Sequence, residues 1–110
     1  MYQYKATITD VYDGDSVTAI VDLGFKISIK LKLRLSGINA PEIRGEEKSL
    51  GLVSKERLSQ LILNKEVIIK TSKDRQEKYG RWLAEIYLPD QIKSVNELLV
   101  SEGLASPYSE

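Results

Sequence analysis

Residues 25–35 constrain the fold more than any other stretch. Every odd position is apolar (Phe25, Ile27, Ile29, Leu31, Leu33, Leu35), and the even positions between them are Lys26, Ser28, Lys30, Lys32 and Arg34. A period of two is the signature of a β-strand with one face on a core and the other in water. The chain must therefore build a sheet, and the odd residues from Phe25 onward are expected to face its interior. The four cations on the wet face also suit a solvated strand that resists aggregation, so alone they do not point to a polyanion.

Two strands precede this one. Residues 4–12 place Tyr4, Ala6, Ile8 and Tyr12 on one side, and residues 16–23 do the same for Val17, Ala19, Val21 and Leu23. Asp13-Gly14-Asp15 and Gly24 supply the turns, so residues 4–35 read as an antiparallel meander. Residues 36–49, with Gly37, Pro41 and Gly45, read as a loop. A helix is expected over about 50–63, with Val53, Leu58, Leu61 and Ile62 as its apolar stripe, Ser49 as N-cap and Asn64 at its end. Val67–Ile69 is a fourth strand, Lys73–Gly80 a charged loop and Trp82–Leu88 a fifth strand, stopped by Pro89-Asp90. Ser94 and Glu97 form a capping box for a short last helix with Val95, Leu98 and Leu99 inside and Gly103 at its C-terminus. Three strands, a helix, two strands and a helix predict an α+β fold, mainly β: a five-stranded OB barrel with a helix between strands three and four and a C-terminal helix. Residues 1–110 are expected to form one domain.

Composition narrows the chemistry. There are no cysteines and no histidines, which removes thiolate sites and the commonest general base and zinc ligand. Catalysis must use carboxylates, lysine, arginine, hydroxyls or a cation held by oxygen. Lys plus Arg and Asp plus Glu each number 16, so polyanion binding would need local clustering of charge. No apolar run is long enough to span a membrane, and no membrane partner is expected. Residues 1–5 lack the order of a signal peptide, so a cytoplasmic protein, of phage or plasmid origin, is expected rather than a secreted one. A monomer is expected.

Three segments could carry chemistry. Asp13-Gly14-Asp15 crowds two carboxylates into one turn, as hard cations such as Ca²⁺ require, although Asp and Gly are also ordinary turn residues. Gly37-Ile38-Asn39-Ala40-Pro41-Glu42 follows the basic strand, with Pro41 fixing the backbone at Glu42. Lys78-Tyr79-Gly80-Arg81 could grip a phosphate or simply form a hairpin turn.

Taken in order, Asp-Gly-Asp-Ser, Leu-Arg-Leu, Asn-Ala-Pro-Glu, Lys-Tyr-Gly-Arg and the late segment from Val95 to Ala105 resemble the staphylococcal nuclease (thermonuclease) family. That resemblance implies calcium-dependent cleavage of phosphodiester bonds in DNA and RNA, leaving a 3′-phosphate. It implies a metal site built by Asp15, the carbonyl of Ala40 and the side chain of Asn39, supported by Asp13. It implies that Glu42 orients or deprotonates the attacking water and that Arg34 and Arg81 bind the scissile phosphate. Tyr79 would lie over the nucleotide, with Lys78, Lys32 and Tyr108 as further contacts to a nucleic-acid partner, single-stranded by preference.

Active members of that family have Asp where this chain has Asn39. A neutral ligand lowers the charge count that sets calcium affinity, so weak metal binding and reduced activity are expected. Glu46 or Glu47 could restore the charge by reaching into the site. The alternative reading is a catalytically silent OB module that binds single strands through Lys26, Lys30, Lys32, Arg34, Lys70, Lys73, Arg75, Lys78 and Arg81. Glu42 and the paired carboxylates separate the two readings, because a binder without metal gains nothing from them. A third reading, a protein-interaction barrel, has only the neutral net charge behind it.

Overall fold

The computed structural model describes residues 2–73 and 81–108. In chain order the elements are β1 (Tyr2–Asp13), β2 (Ser16–Asp22), β3 (Ser28–Leu35), β4 (Ile38–Asn39), α1 (Lys48–Ile62), β5 (Glu66–Lys73), β6 (Trp82–Tyr87), α2 (Val95–Ser101) and β7 (Ser106–Pro107). Five strands close into a barrel in the order β1-β2-β3-β6-β5, with β5 returning to β1. All neighbours are antiparallel except β3 and β6, which run parallel through Leu33–Trp82, Arg34–Leu83 and Leu35–Ala84. With α1 between the third and fourth barrel strands, this is the expected OB arrangement.

The core follows from the alternation. Ala6 and Ile8, Val17, Ala19 and Val21, Leu33 and Leu35, Val67 and Ile69, and Ala84 and Ile86 all point inward, and Leu58 and Ile62 of α1 and Val95 and Leu99 of α2 join them. Each fully buried Leu or Ile contributes about 1.5–3 kcal/mol relative to exposure. The capping box of α2 forms as read, with the Ser94 side chain accepting from the Glu97 N–H at 3.1 Å. Asn64, at φ +60°, ends α1 in the left-handed conformation that asparagine tolerates.

One polar side chain stitches this core together. Asn96 is buried; its Oδ1 accepts from the Ile86 N–H at 3.1 Å, and its Nδ2 donates to the carbonyls of Ser36 and Ala84 at 2.8 and 3.0 Å. It joins α2 to β6 and to the turn after β3, which keeps β3 and the following loop in register.

Several expectations are corrected. Phe25 and Ile27 do not face the core: Phe25 is 97% exposed, and β3 begins only at Ser28. Gly24, Phe25 and Lys26 all have positive φ, so they form the hairpin loop between β2 and β3 and not the first residues of a strand. Ile29 is also exposed. Tyr12 points outward because β1 carries irregularities between Ile8 and Asp10 and between Val11 and Asp13, each of which shifts the alternation. Val53 is exposed, and the buried stripe of α1 is Gly51, Ser54, Leu58 and Ile62. The N-cap position of α1 is Glu47, so Ser49 lies inside the first turn. The loop at 36–49 contains β4, which pairs with β7 across Ile38–Pro107 and Asn39–Ser106.

Candidate active site

The β1–β2 hairpin sets the floor of the site. Gly14 and Asp15 link the two strands, and the Asp15 N–H donates to Asp13 Oδ1 at 3.1 Å, which tightens the turn. Asp15 is buried. Its Oδ2 accepts from the Ala40 N–H at 3.0 Å and its Oδ1 from the Ser16 hydroxyl at 3.2 Å. Gly14 is required by close approach: a Cβ there would lie 2.7 Å from Ala40 Cβ and 2.8 Å from Ser54 Cβ. The turn, the Asn39–Ala40 segment and α1 thus meet with almost no side chain between them.

Arg34 enters from β3, opposite Ser16 on β2. Its guanidinium lies 3.9 Å from Asp15 Oδ2, donates to the Ile38 and Leu35 carbonyls at 3.2 and 3.5 Å, and sits 5.1 Å from the centre of the Tyr108 ring. Tyr108 is held by its own N–H, which donates to the Gly37 carbonyl at 2.8 Å. An arginine fixed in this way is pre-organised to meet an anion with little loss of rotamer freedom.

Glu42 is exposed, on the segment after Pro41. Its N–H donates to the Glu47 carboxylate at 2.9 Å. Gly51 of α1 faces the same backbone: a Cβ at Gly51 would overlap the Glu42 carbonyl and lie 2.8 Å from the Ile43 nitrogen. Helix α1 therefore rests directly on the backbone that carries Glu42.

These segments enclose a cleft of about 490 Å³. Asp13, Asp15, Lys32, Arg34, Asn39, Ala40, Glu42 and Arg81 all line it, so the structure brings together eight of the residues singled out from the sequence. Tyr108 reaches the site through Arg34. Lys78 and Tyr79 lie outside the described residues. Glu46 and Glu47 are not among the lining residues, and Glu47 instead holds the Glu42 backbone. Sequence reasoning missed Tyr12 and Arg44, which meet at the rim, where the Arg44 guanidinium donates to the Tyr12 hydroxyl at 2.9 Å. The only available signal was that Tyr12 immediately precedes the Asp-Gly-Asp turn.

The two carboxylates of the turn oppose each other. The Asp13 carboxyl is pushed up from 3.8 to about 6, first by burial and then by its hydrogen bond and repulsion with Asp15. Two carboxylates, an amide oxygen and a backbone carbonyl are an oxygen-only set of the kind hard divalent cations take. Among the described residues, no three Asp or Glu side chains come close enough to hold one ion. Asp13, Asp15, Asn39 and Ala40 line the cleft together, which puts four oxygen-bearing residues in one site.

No curated protein matches the chain closely enough to count as a relative. A sequence model described as staphylococcal nuclease homologue matches residues 32–110, more than two-thirds of the chain. The matched span contains Lys32, Arg34, Asn39, Ala40, Glu42, Arg81 and Tyr108, and Asp13 and Asp15 precede it and reach the same cleft through the fold. With the closed OB barrel, this places the chain in the staphylococcal nuclease homologue family, one of nucleases and nucleic-acid-binding OB barrels.

Proposed function

We propose that the protein hydrolyses phosphodiester bonds within DNA or RNA, preferring single strands, in a calcium-supported reaction that leaves a 3′-phosphate. One observation carries this reading. Two guanidinium residues, a carboxylate on a braced loop and a pair of crowded carboxylates share a single cleft. In-line attack of water on phosphorus builds negative charge on the non-bridging oxygens. Arg34 and Arg81 donate to those oxygens, and such preorganised donors are worth about 10²–10³ in rate each. Glu42 accepts the proton from the water as its oxygen bonds to phosphorus, and the bond to the 5′ oxygen breaks, that oxygen taking up a proton from solvent. Asp13, Asp15, Asn39 and the Ala40 carbonyl would hold the calcium ion, which supplies Lewis-acid stabilisation of the same developing charge.

Asn39 and the absence of a third nearby carboxylate among the described residues support a second reading, a barrel that binds single strands without cutting them. Cleavage of single-stranded DNA, followed on a gel with no metal, with calcium, and with calcium plus chelator, separates the two. The nuclease reading expects calcium-dependent cutting that Glu42→Ser abolishes. Cutting by Asn39→Asp alone would make the wild-type protein a silenced nuclease. No cutting by either protein at any calcium concentration would overturn the catalytic assignment.

A further inference from the structure

A second groove, of about 270 Å³, opens beside the main cleft and is lined by Tyr12, Asp13, Glu42, Ile43 and Arg44. It shares Tyr12, Asp13 and Glu42 with the cleft, so the two adjoin. Among the described residues that line it, Arg44 is the one cation.

One side-chain bond and a braced loop set its position. The Arg44 guanidinium donates to the Tyr12 hydroxyl at 2.9 Å, which straps the loop to the end of β1 across 32 residues of sequence. Its backbone is extended, at φ −142° and ψ 165°, just before the turn at Gly45–Glu47. Upstream, Glu47 and Gly51 hold the Glu42 backbone as described above. Arg44 lies two residues after Glu42, so their Cα atoms are at most roughly 7 Å apart. That is the scale of one nucleotide step along an extended strand.

A strand whose scissile phosphate lies in the cleft and whose neighbouring phosphate enters the side groove passes Asp13 and Glu42, which line both. Those carboxylates repel it. A guanidinium at that point offsets part of that repulsion, and it has five donors, of which the Tyr12 bond uses one. We propose that this side groove is the subsite for the phosphate next to the scissile one, with Arg44 as the anion-binding residue and the Tyr12 hydroxyl as the group that positions it. The proposal rests on the nuclease reading and adds a requirement for substrate length. A substrate with one phosphodiester fills the cleft, and a longer strand also engages Arg44.

The test is a titration of ¹⁵N-labelled protein, followed by amide shifts in the presence of chelator so that nothing is cut. The probes are thymidylyl-thymidine, with one phosphodiester, and octathymidylate. The wild-type protein is expected to bind the octamer more tightly. Arg44→Gln is expected to weaken octamer binding roughly 3- to 10-fold and lower its salt slope by about one, leaving the dinucleotide unchanged. Tyr12→Phe is expected to give a smaller loss of the same length-dependent kind, and Arg44→Lys to recover most of the affinity. Equal losses for both probes, or none for either, with wild-type binding intact, would overturn the subsite alone. A wild-type protein that binds neither probe with chelator and leaves octathymidylate uncut with calcium would remove the nucleic-acid reading and the subsite with it, and one that cuts it with calcium at the same kcat/KM as Arg44→Gln would overturn the subsite alone. The amide spectrum of each variant separates a binding loss from a folding defect.

Discussion

Replacing Asp13 by Asn should stabilise the metal-free protein at neutral pH. Asp13 is half-buried beside Asp15, and its carboxyl is raised from 3.8 to about 6, with burial the larger cause and Asp15 the next. The folded state therefore binds this proton more tightly than the unfolded chain does. The stability so contributed is fully present below pH 3.8 and is lost as pH rises through about 6. At ~1.4 kcal/mol per pH unit the full displacement would be worth roughly 3 kcal/mol at pH 7. Solvent screening of a half-exposed carboxylate cuts this to about 1–2 kcal/mol. Asparagine keeps an Oδ1 for the Asp15 N–H bond and removes the charge. In thermal unfolding with chelator present, Asp13→Asn is expected to melt roughly 4–8 °C above wild type at pH 7. Most of the gap should close by pH 4. Calcium should narrow it from the other side, because it stabilises the wild-type carboxylates and loses a ligand in the variant. A variant that melts below wild type at pH 7, or a gap that ignores pH, would refute the claim that the two carboxylates oppose each other in the folded state.

Asn39→Asp should tighten calcium binding by at least about tenfold in a calorimetric titration, since charge count governs such sites; an unchanged affinity would remove Asn39 from the ligand set. Gly51→Ala should push the Glu42 backbone aside by on the order of 1 Å and slow cleavage about 10²-fold. The same variant should lose about 1–3 kcal/mol of stability by overpacking, measured by denaturant unfolding, and full activity with an unchanged midpoint would show that α1 does not set the loop. Asn96→Ala should cost about 3 kcal/mol in denaturant unfolding, because it strands the Ile86 N–H and the Ser36 and Ala84 carbonyls; a loss under about 1 kcal/mol would mean that these groups find other partners.

The barrel was legible because its signals are local. Leu31, Leu33 and Leu35 alternate, Gly14 and Gly24 mark turns, and Ser94 with Glu97 marks a helix start. Where the reading failed, the cause lies outside local periodicity. The alternation of Phe25, Ile27 and Ile29 continues that of β3 unbroken, yet hydrogen bonds between Leu23 and Ile27 and between Ile27 and Gly24 close the hairpin first. Period alone cannot tell where a strand stops pairing. Tyr12 was misplaced because β-bulges shift phase without leaving a mark in residue type. The β4–β7 ribbon joins residues nearly seventy positions apart through two pairs, too few for a pattern. The candidate site was legible where its residues sit in turns rich in Asp, Gly and Pro. The Arg44–Tyr12 contact was not, because it depends on the bulge that turns Tyr12 outward.

The parallel pairing of β3 with β6 also gives the site a place in time. It rests on three residue pairs about fifty positions apart, and contacts of that separation form late because the intervening chain must first be closed into a loop. The β1–β2–β3 meander bearing Asp13, Asp15 and Arg34 is joined by local turns, whereas Arg81 joins it only when β6 docks. A half-made chain leaving the ribosome therefore holds the acidic turn and one arginine but no finished cleft. Under the proposed nuclease function, the two guanidiniums that would grip one phosphate meet only once the last barrel strand is in place.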